Sequence, residues 1–147
     1  MWENLIAKIK AIMEANTLVQ ETYDYEIEKF EGQPSAVIVP SDNSGEFTTT
    51  TDNERVYAFS VFLFVARGDD YYTDKTADIV MRELVDSVLD DFDKNWRLTG
   101  LTLSTGYSML YMEAAPSSWG YVDREMVYRM AEITLRIHLD VDTSLIS

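Results

Sequence analysis

The chain has one histidine, His138, with Arg136 and Asp140 two residues to either side in a run of alternating apolar and polar residues. Imidazole is the side chain best suited to moving protons near neutral pH. Beside a carboxylate it supplies two members of a nucleophile-activating triad. The third member is missing. The sequence holds no cysteine, and no serine stands in the Gly-x-Ser-x-Gly setting that presents a hydroxyl at a strand-to-helix turn. His138 is therefore expected to be an exposed structural residue on the polar face of a strand.

Metal chemistry fares no better. In "DFDKN", Asp91, Asp93 and Asn95 match the first three ligand positions of a calcium-binding loop. Such a loop needs glycine at its sixth position and glutamate at its twelfth, where this chain has Trp96 and Thr102. An acidic helix end is the expectation. Paired carboxylates (Asp69 with Asp70, Asp90 with Asp91, Asp140 with Asp142) are commonplace in a chain with 26 acidic residues. Glycosidase-type work needs one of a pair raised in pKa by a pocket. Six scattered glycines make no phosphate-cradling loop. No enzyme, cofactor or metal is expected.

The elements that would position these residues can be read from hydrophobic period. Trp2, Leu5, Ile6, Ile9, Ile12 and Met13 recur at helical spacing over residues 2–16. "TYDYEIEKF" (22–30) alternates as a half-buried strand, and "SAVIVP" reads as a short strand stopped by Pro40. From Val56 onward both alternating faces are apolar. Tyr57, Phe59, Val61, Leu63 and Val65 lie on one side, with Ala58, Ser60, Phe62 and Phe64 on the other. That pattern marks a central strand, or one whose second face meets a partner. Thr73 can cap a second helix with Ala77, Val80, Met81, Leu84, Val85, Val88 and Phe92 on its apolar face. A strand near 108–113 and a loop through "APSSWGYV" follow. The closing strand buries Ala131, Ile133, Leu135, Ile137, Leu139 and Val141, with Arg129 near its rim.

This order predicts one α+β domain over 1–147. A mostly antiparallel sheet of about four to six strands carries two amphipathic helices on one face. Residues 41–53, "SDNSGEFTTTTDN", form an arm between two strands. Its threonines favour strand, and it is expected to be mobile in the isolated subunit.

Bulk properties set the class of partner. At 147 residues and 46% hydrophobic, the chain can bury a core. Net charge of −14 excludes the basic footprint of nonspecific nucleic-acid binding. It suits simple solubility, a surface that DNA passes without adhering, or a DNA mimic that occupies basic surfaces. The longest apolar stretch, 56–66, is too short for a membrane helix of about 20 residues. The start "MWENLIAKIK" lacks the order of a signal peptide. A soluble intracellular protein without a membrane partner is expected.

The motif order as a whole resembles the tail terminator (tail completion) proteins of long, flexible-tailed phages, and related neck proteins. It runs from an amphipathic helix through "FEGQPSAVIVP", a threonine-rich arm, "VYAFSVFLF" and "ADIVMRELVDSVLDDF" to "APSSWGYVDREMVYRMAEITLRIHL". The resemblance covers nearly the whole chain. It implies a virion subunit, assembled in the host cytoplasm, that closes as a hexameric ring at the tail–head junction. The ring caps the tail tube protein, ends its polymerisation and joins the head connector or neck protein, with no cofactor and no catalysis. A head-side neck or stopper protein is the alternative within this class, and a small acidic binding module such as a DNA mimic the alternative outside it. Ring closure needs two unlike surfaces on each subunit. Phe62 and Phe64 on the second face of the aromatic strand are candidates for one, and Trp119 and Tyr121 for another. Phe47, Thr48, Thr49 and Thr50 of the arm are candidates for contact with a neighbour or the tube. Ordinary core packing is the competing reading of each aromatic residue.

Overall fold

A computed structural model describes residues 1–27, 30, 33–47, 51–68, 72–123 and 127–146, with backbone alone for 42–47 and 74. The elements follow the predicted order: α1 (Trp2–Ala15), β1 (Glu21–Tyr23), β2 (Ser35–Phe47), β3 (Asp52–Ala66), α2 (Asp74–Lys94), β4 (Tyr107–Asp123) and β5 (Val127–Asp142). The strands form one sheet in the order β1-β2-β3-β5-β4. Among these five strands only the β1–β2 pairing is parallel.

Both helices lie on one face of this sheet, because their apolar stripes have nowhere else to bury. Leu5, Ile9 and Met13 of α1 join Met81, Leu84, Val88 and Phe92 of α2 against Phe59, Val61 and Leu63 of β3 and Ile133, Leu135 and Ile137 of β5. Trp2 sets its ring edge-on to Tyr57 and Phe59, at 4.8 and 5.1 Å between centroids. Asn16, which ends α1, is the polar tie between the helices. Its side-chain amide donates to Asp91 Oδ2 at 2.7 Å and Ser87 Oγ at 3.0 Å, and its oxygen accepts from the Leu18 N–H. A buried amide with its groups paired holds one register rather than several. Thr73 caps α2 as predicted, its hydroxyl accepting from the Thr76 N–H at 3.3 Å. Among the described residues no helix is long and apolar enough to cross a membrane.

Three local expectations are corrected. The alternation over 22–30 is not one strand: pairing stops at Tyr23, and Phe30 packs instead on Phe64 and Tyr128, at 4.7 and 5.1 Å, covering part of the second sheet face. Pro40 does not stop β2. The ladder to β3 shifts register between Pro40 and Asn43, a bulge that accommodates a residue with no N–H, and pairing resumes as far as Phe47↔Asn53. Residues 41–47 and 52–53 are thus the outer part of a β2–β3 hairpin; Thr48, Thr49 and Thr50 lie outside the described residues. Finally, "APSSWGYV" is not a loop but the second half of β4, paired with β5 as far as Asp123↔Val127.

The packing around Phe59 yields a direct check. Phe59 is fully buried between the sheet and α1, so Phe59→Ala should lower stability by roughly 3–5 kcal/mol. That loss is to be read from the urea midpoint at an unchanged m-value. A loss under about 1 kcal/mol would mean that the helix is not seated on this ring.

Candidate functional site: the open sheet face and the β4 edge

With both helices on one face, the other face of the sheet and its long edge are the surfaces left for partners. The open face divides along the strand direction. Towards the end of β3 near Ala66 it is apolar. Phe64, Val37, Phe30, Ala66 and Tyr128 form a second buried cluster. Phe62, half-buried beside it, helps line a groove of about 190 Å³ with Ile27, Val39, Val122 and Met130. Of the two phenylalanines singled out from sequence, Phe64 is therefore buried in this cluster at the groove's floor, and Phe62 is half-buried in its wall.

Towards the other end the open face is polar and acidic. His138 is not the exposed residue expected. Its side chain is only 12% exposed, because the β3–β5–β4 register sets it between two acids. Nδ1 lies 2.8 Å from Glu54 Oε1 and Nε2 lies 2.7 Å from Glu113 Oε1. The Tyr111 ring stacks on it at 4.2 Å and 14°. One imidazole thus ties three strands together, and both of its nitrogens are engaged by carboxylates rather than by a nucleophile.

Nearer the middle, Glu132 accepts from the hydroxyls of Ser60 (2.7 Å) and Ser118 (3.1 Å), while the Ser117 hydroxyl donates to the Glu132 carbonyl at 3.2 Å. These bonds hold β4 at the register shift between Pro116 and Ser118. The shift returns Trp119 and Tyr121 to the helix side of the sheet.

Where β3 begins and β5 ends, like charges are crowded together. The Asp140 carboxyl is raised above the ordinary aspartate range, first by desolvation and then by the negative charges of Asp52, Asp142 and Glu54. Among the described residues no group of three or more His, Cys, Asp or Glu side chains is placed to hold a metal ion. "DFDKN" forms the final turn of α2 and its C-cap, where Asp91 faces Asn16 and its carbonyl accepts from the Asn95 amide.

The β4 edge carries the second pair of aromatic candidates. Trp119 and Tyr121 are 45% and 56% exposed. Neither is loose. The Arg129 guanidinium lies 5.6 Å from the Trp119 ring centre and 4.6 Å from that of Tyr121, and Arg67 stacks on the same tyrosine at 4.7 Å. Arg129 is itself held by the Gly120 carbonyl (2.8 Å) and, as an ion pair off hydrogen-bonding alignment, by Asp78 of α2 (2.8 Å). Arg129 was expected at a rim; the arginine–aromatic stack around it was not foreseen. Its members sit at positions 67, 119, 121 and 129, joined by strand register and not by local spacing. The Phe47 side chain, like Thr48, Thr49 and Thr50, lies outside the described residues.

This fold matches that of a chain in the virion of a native gene transfer agent (GTA) particle. The TM-score is 0.51, the match covers 95% of this chain and 90% of that one, and sequence identity is 15%. The likeness is one of fold. No protein-family model matches the chain, and no curated protein sequence is similar to it.

The crowding at Asp140 has a measurable sign. A carboxyl raised in the folded state binds its proton more tightly there than in the unfolded chain. Its ionisation therefore erodes stability as pH rises through the carboxylate range, and the loss persists at neutral pH. Asp140→Asn is expected to raise the unfolding midpoint at pH 7, with the gain vanishing below about pH 4. An equal gain at both pH values would place its origin elsewhere.

Proposed function

We propose that the chain is a structural subunit of a phage or phage-like virion: a tail terminator that closes as a hexameric ring on the end of the tail tube. It stops tube growth and offers its other side to the head connector. The observation that carries this reading is the fold shared with a GTA virion chain over 95% of the sequence. Nearly complete coverage means that the likeness includes the helices, the hairpin and the long edge together. The motif order resembling tail terminators points to the same class. The surfaces suit the role. A half-buried apolar groove at Phe62 and an exposed aromatic edge at Trp119 and Tyr121 are unlike one another, as a ring joined head to tail requires. In this reading Phe47, the last residue of β2, and Thr48, Thr49 and Thr50, which follow it in sequence before β3, contact the tube or a neighbour. The acidic half of the open face would let DNA pass without adhering.

Light scattering against concentration tests the proposal. The chain is expected to pass from monomer to a species of about six monomer masses, the closed ring that the resemblance to tail terminators implies, and negative-stain images should show closed rings. Trp119→Asp should hold it at monomer mass with its circular dichroism unchanged. A strict monomer at every concentration and salt tried, binding instead to a basic nucleic-acid-binding protein, would favour the DNA-mimic alternative.

A further inference from the structure

The sheet ends in two different edges, β1 and β4, and the pairing between them shows that they stand at the same height. Glu21 pairs with Ser35, Ser35 with Phe64, Phe64 with Met130 and Met130 with Gly120. In the same way Thr22 connects through Ala36, Leu63 and Ala131 to Trp119, and Tyr23 through Val37, Phe62 and Glu132 to Ser118. Faces match as well as heights: Thr22 and Trp119 belong to the helix face, Glu21, Tyr23, Ser118 and Gly120 to the open face. Directions match too. One parallel pairing followed by three antiparallel ones leaves β1 and β4 running in opposite senses. A copy whose sheet continues this one past β4 at the same level therefore brings its β1 antiparallel to residues 118–120. Antiparallel is the more stable pairing.

The backbone of β4 is set up to receive a strand there. The Met112 N–H donates away from β5, to the Trp96 carbonyl at 2.9 Å, which covers the first half of the edge. Alternation then turns the backbone groups of Ala114 outward, and those of Pro116, which has no N–H to satisfy. Beyond the extra residue at 117, Trp119 and Tyr121 take up the same outward orientation. The far end agrees, since the Val127 carbonyl accepts from Arg67 on the β3 side (2.9 Å), so that its β4 partner Asp123 also points outward. Past Met112, among the described residues, the backbone hydrogen bonds of this edge go to no other segment.

Charge selects the same surfaces. Copies that each carry −14 repel, and β4 is among their least charged elements, with only Glu113 and Asp123 in 17 residues. Arg129 and Arg67, stacked on its aromatic rings, add positive charge to an edge that carries few acids.

We propose that β1 of one copy adds to residues 118–120 of β4 in the next, head to tail, joining the sheets into a closed continuous band. This rests on the ring reading above and gives the β4 edge the β1 edge as its partner surface, in place of the Phe62 groove. In that pairing Gly120 bonds inward to β5 and so faces Glu21 of the next copy as a non-hydrogen-bonded pair. Cα atoms in such a pair stand about 4.5 Å apart, within the range a disulfide spans. Within one copy the same two residues are separated by four strand spacings, roughly 19 Å, beyond the reach of a disulfide.

The chain has no cysteine of its own, so the test is clean. A Cβ added at Gly120 meets only the Met130 terminal methyl, at 3.7 Å, and is accommodated. The full chain carrying Glu21→Cys and Gly120→Cys, mildly oxidised where the wild type assembles, should give a ladder of reducible multimers rising to the ring on a non-reducing gel. Either single variant should give no ladder. If that pair fails to fold by circular dichroism, Tyr23→Cys with Ser118→Cys, the next level pair, carries the same expectation. Assembled wild type with no cross-linked ladder from a folded pair would overturn the junction and leave the ring standing. Wild type that stays monomeric throughout would overturn both.

Discussion

The fifteen-residue ladder between β3 and β5, from Asp52↔Asp142 to Ala66↔Tyr128, is the constraint on which the other features depend. Because side chains alternate strictly across a strand, this one register fixes both faces of the sheet at once. Phe59, Val61 and Leu63 go with Ile133, Leu135 and Ile137 to the helices. Phe64 goes with Tyr128 to the opposite side, while His138 is set against Glu54 and Asp140 is crowded by Asp52. A slip of one residue would bury the acids and expose the core. The hydrophobic term therefore locks the register, and the polar arrangements follow from it.

Much of this was legible in the sequence, because burial has a period. The alternation of β5, the two-sided apolar character of β3 and the helical stripes of α1 and α2 each required one environment, and the order of elements followed. What failed was reading Pro, Gly and Ser as punctuation. Pro40 sits at a bulge and Pro116 on a free edge, where a missing N–H removes no ladder bond. β2 and β4 therefore run on through both. The alternation of Tyr23, Tyr25 and Ile27 failed for another reason. Strand-like spacing is also what a segment shows when it folds back over an apolar sheet face, as Phe30 does.

The candidate surfaces were legible only one residue at a time. Trp119 and Tyr121 stood out as aromatic and Phe62 as surplus to a one-sided strand. The partners of Tyr121, namely Arg129 and Arg67, lie on two other strands or strand ends and are brought to it by the sheet register, which no local spacing encodes. The equal height of β1 and β4 is likewise a sum of four pairings, visible only once each is fixed.

The proposed assembly joins this strongly acidic subunit along its two level sheet edges rather than through its charged surface. Cryo-electron microscopy of the assembled chain tests that claim most directly. The account predicts a closed ring in which the sheets join edge to edge, with Trp119 at the junction. Rings joined through the α1 and α2 surfaces, with β4 left in solvent, would contradict it.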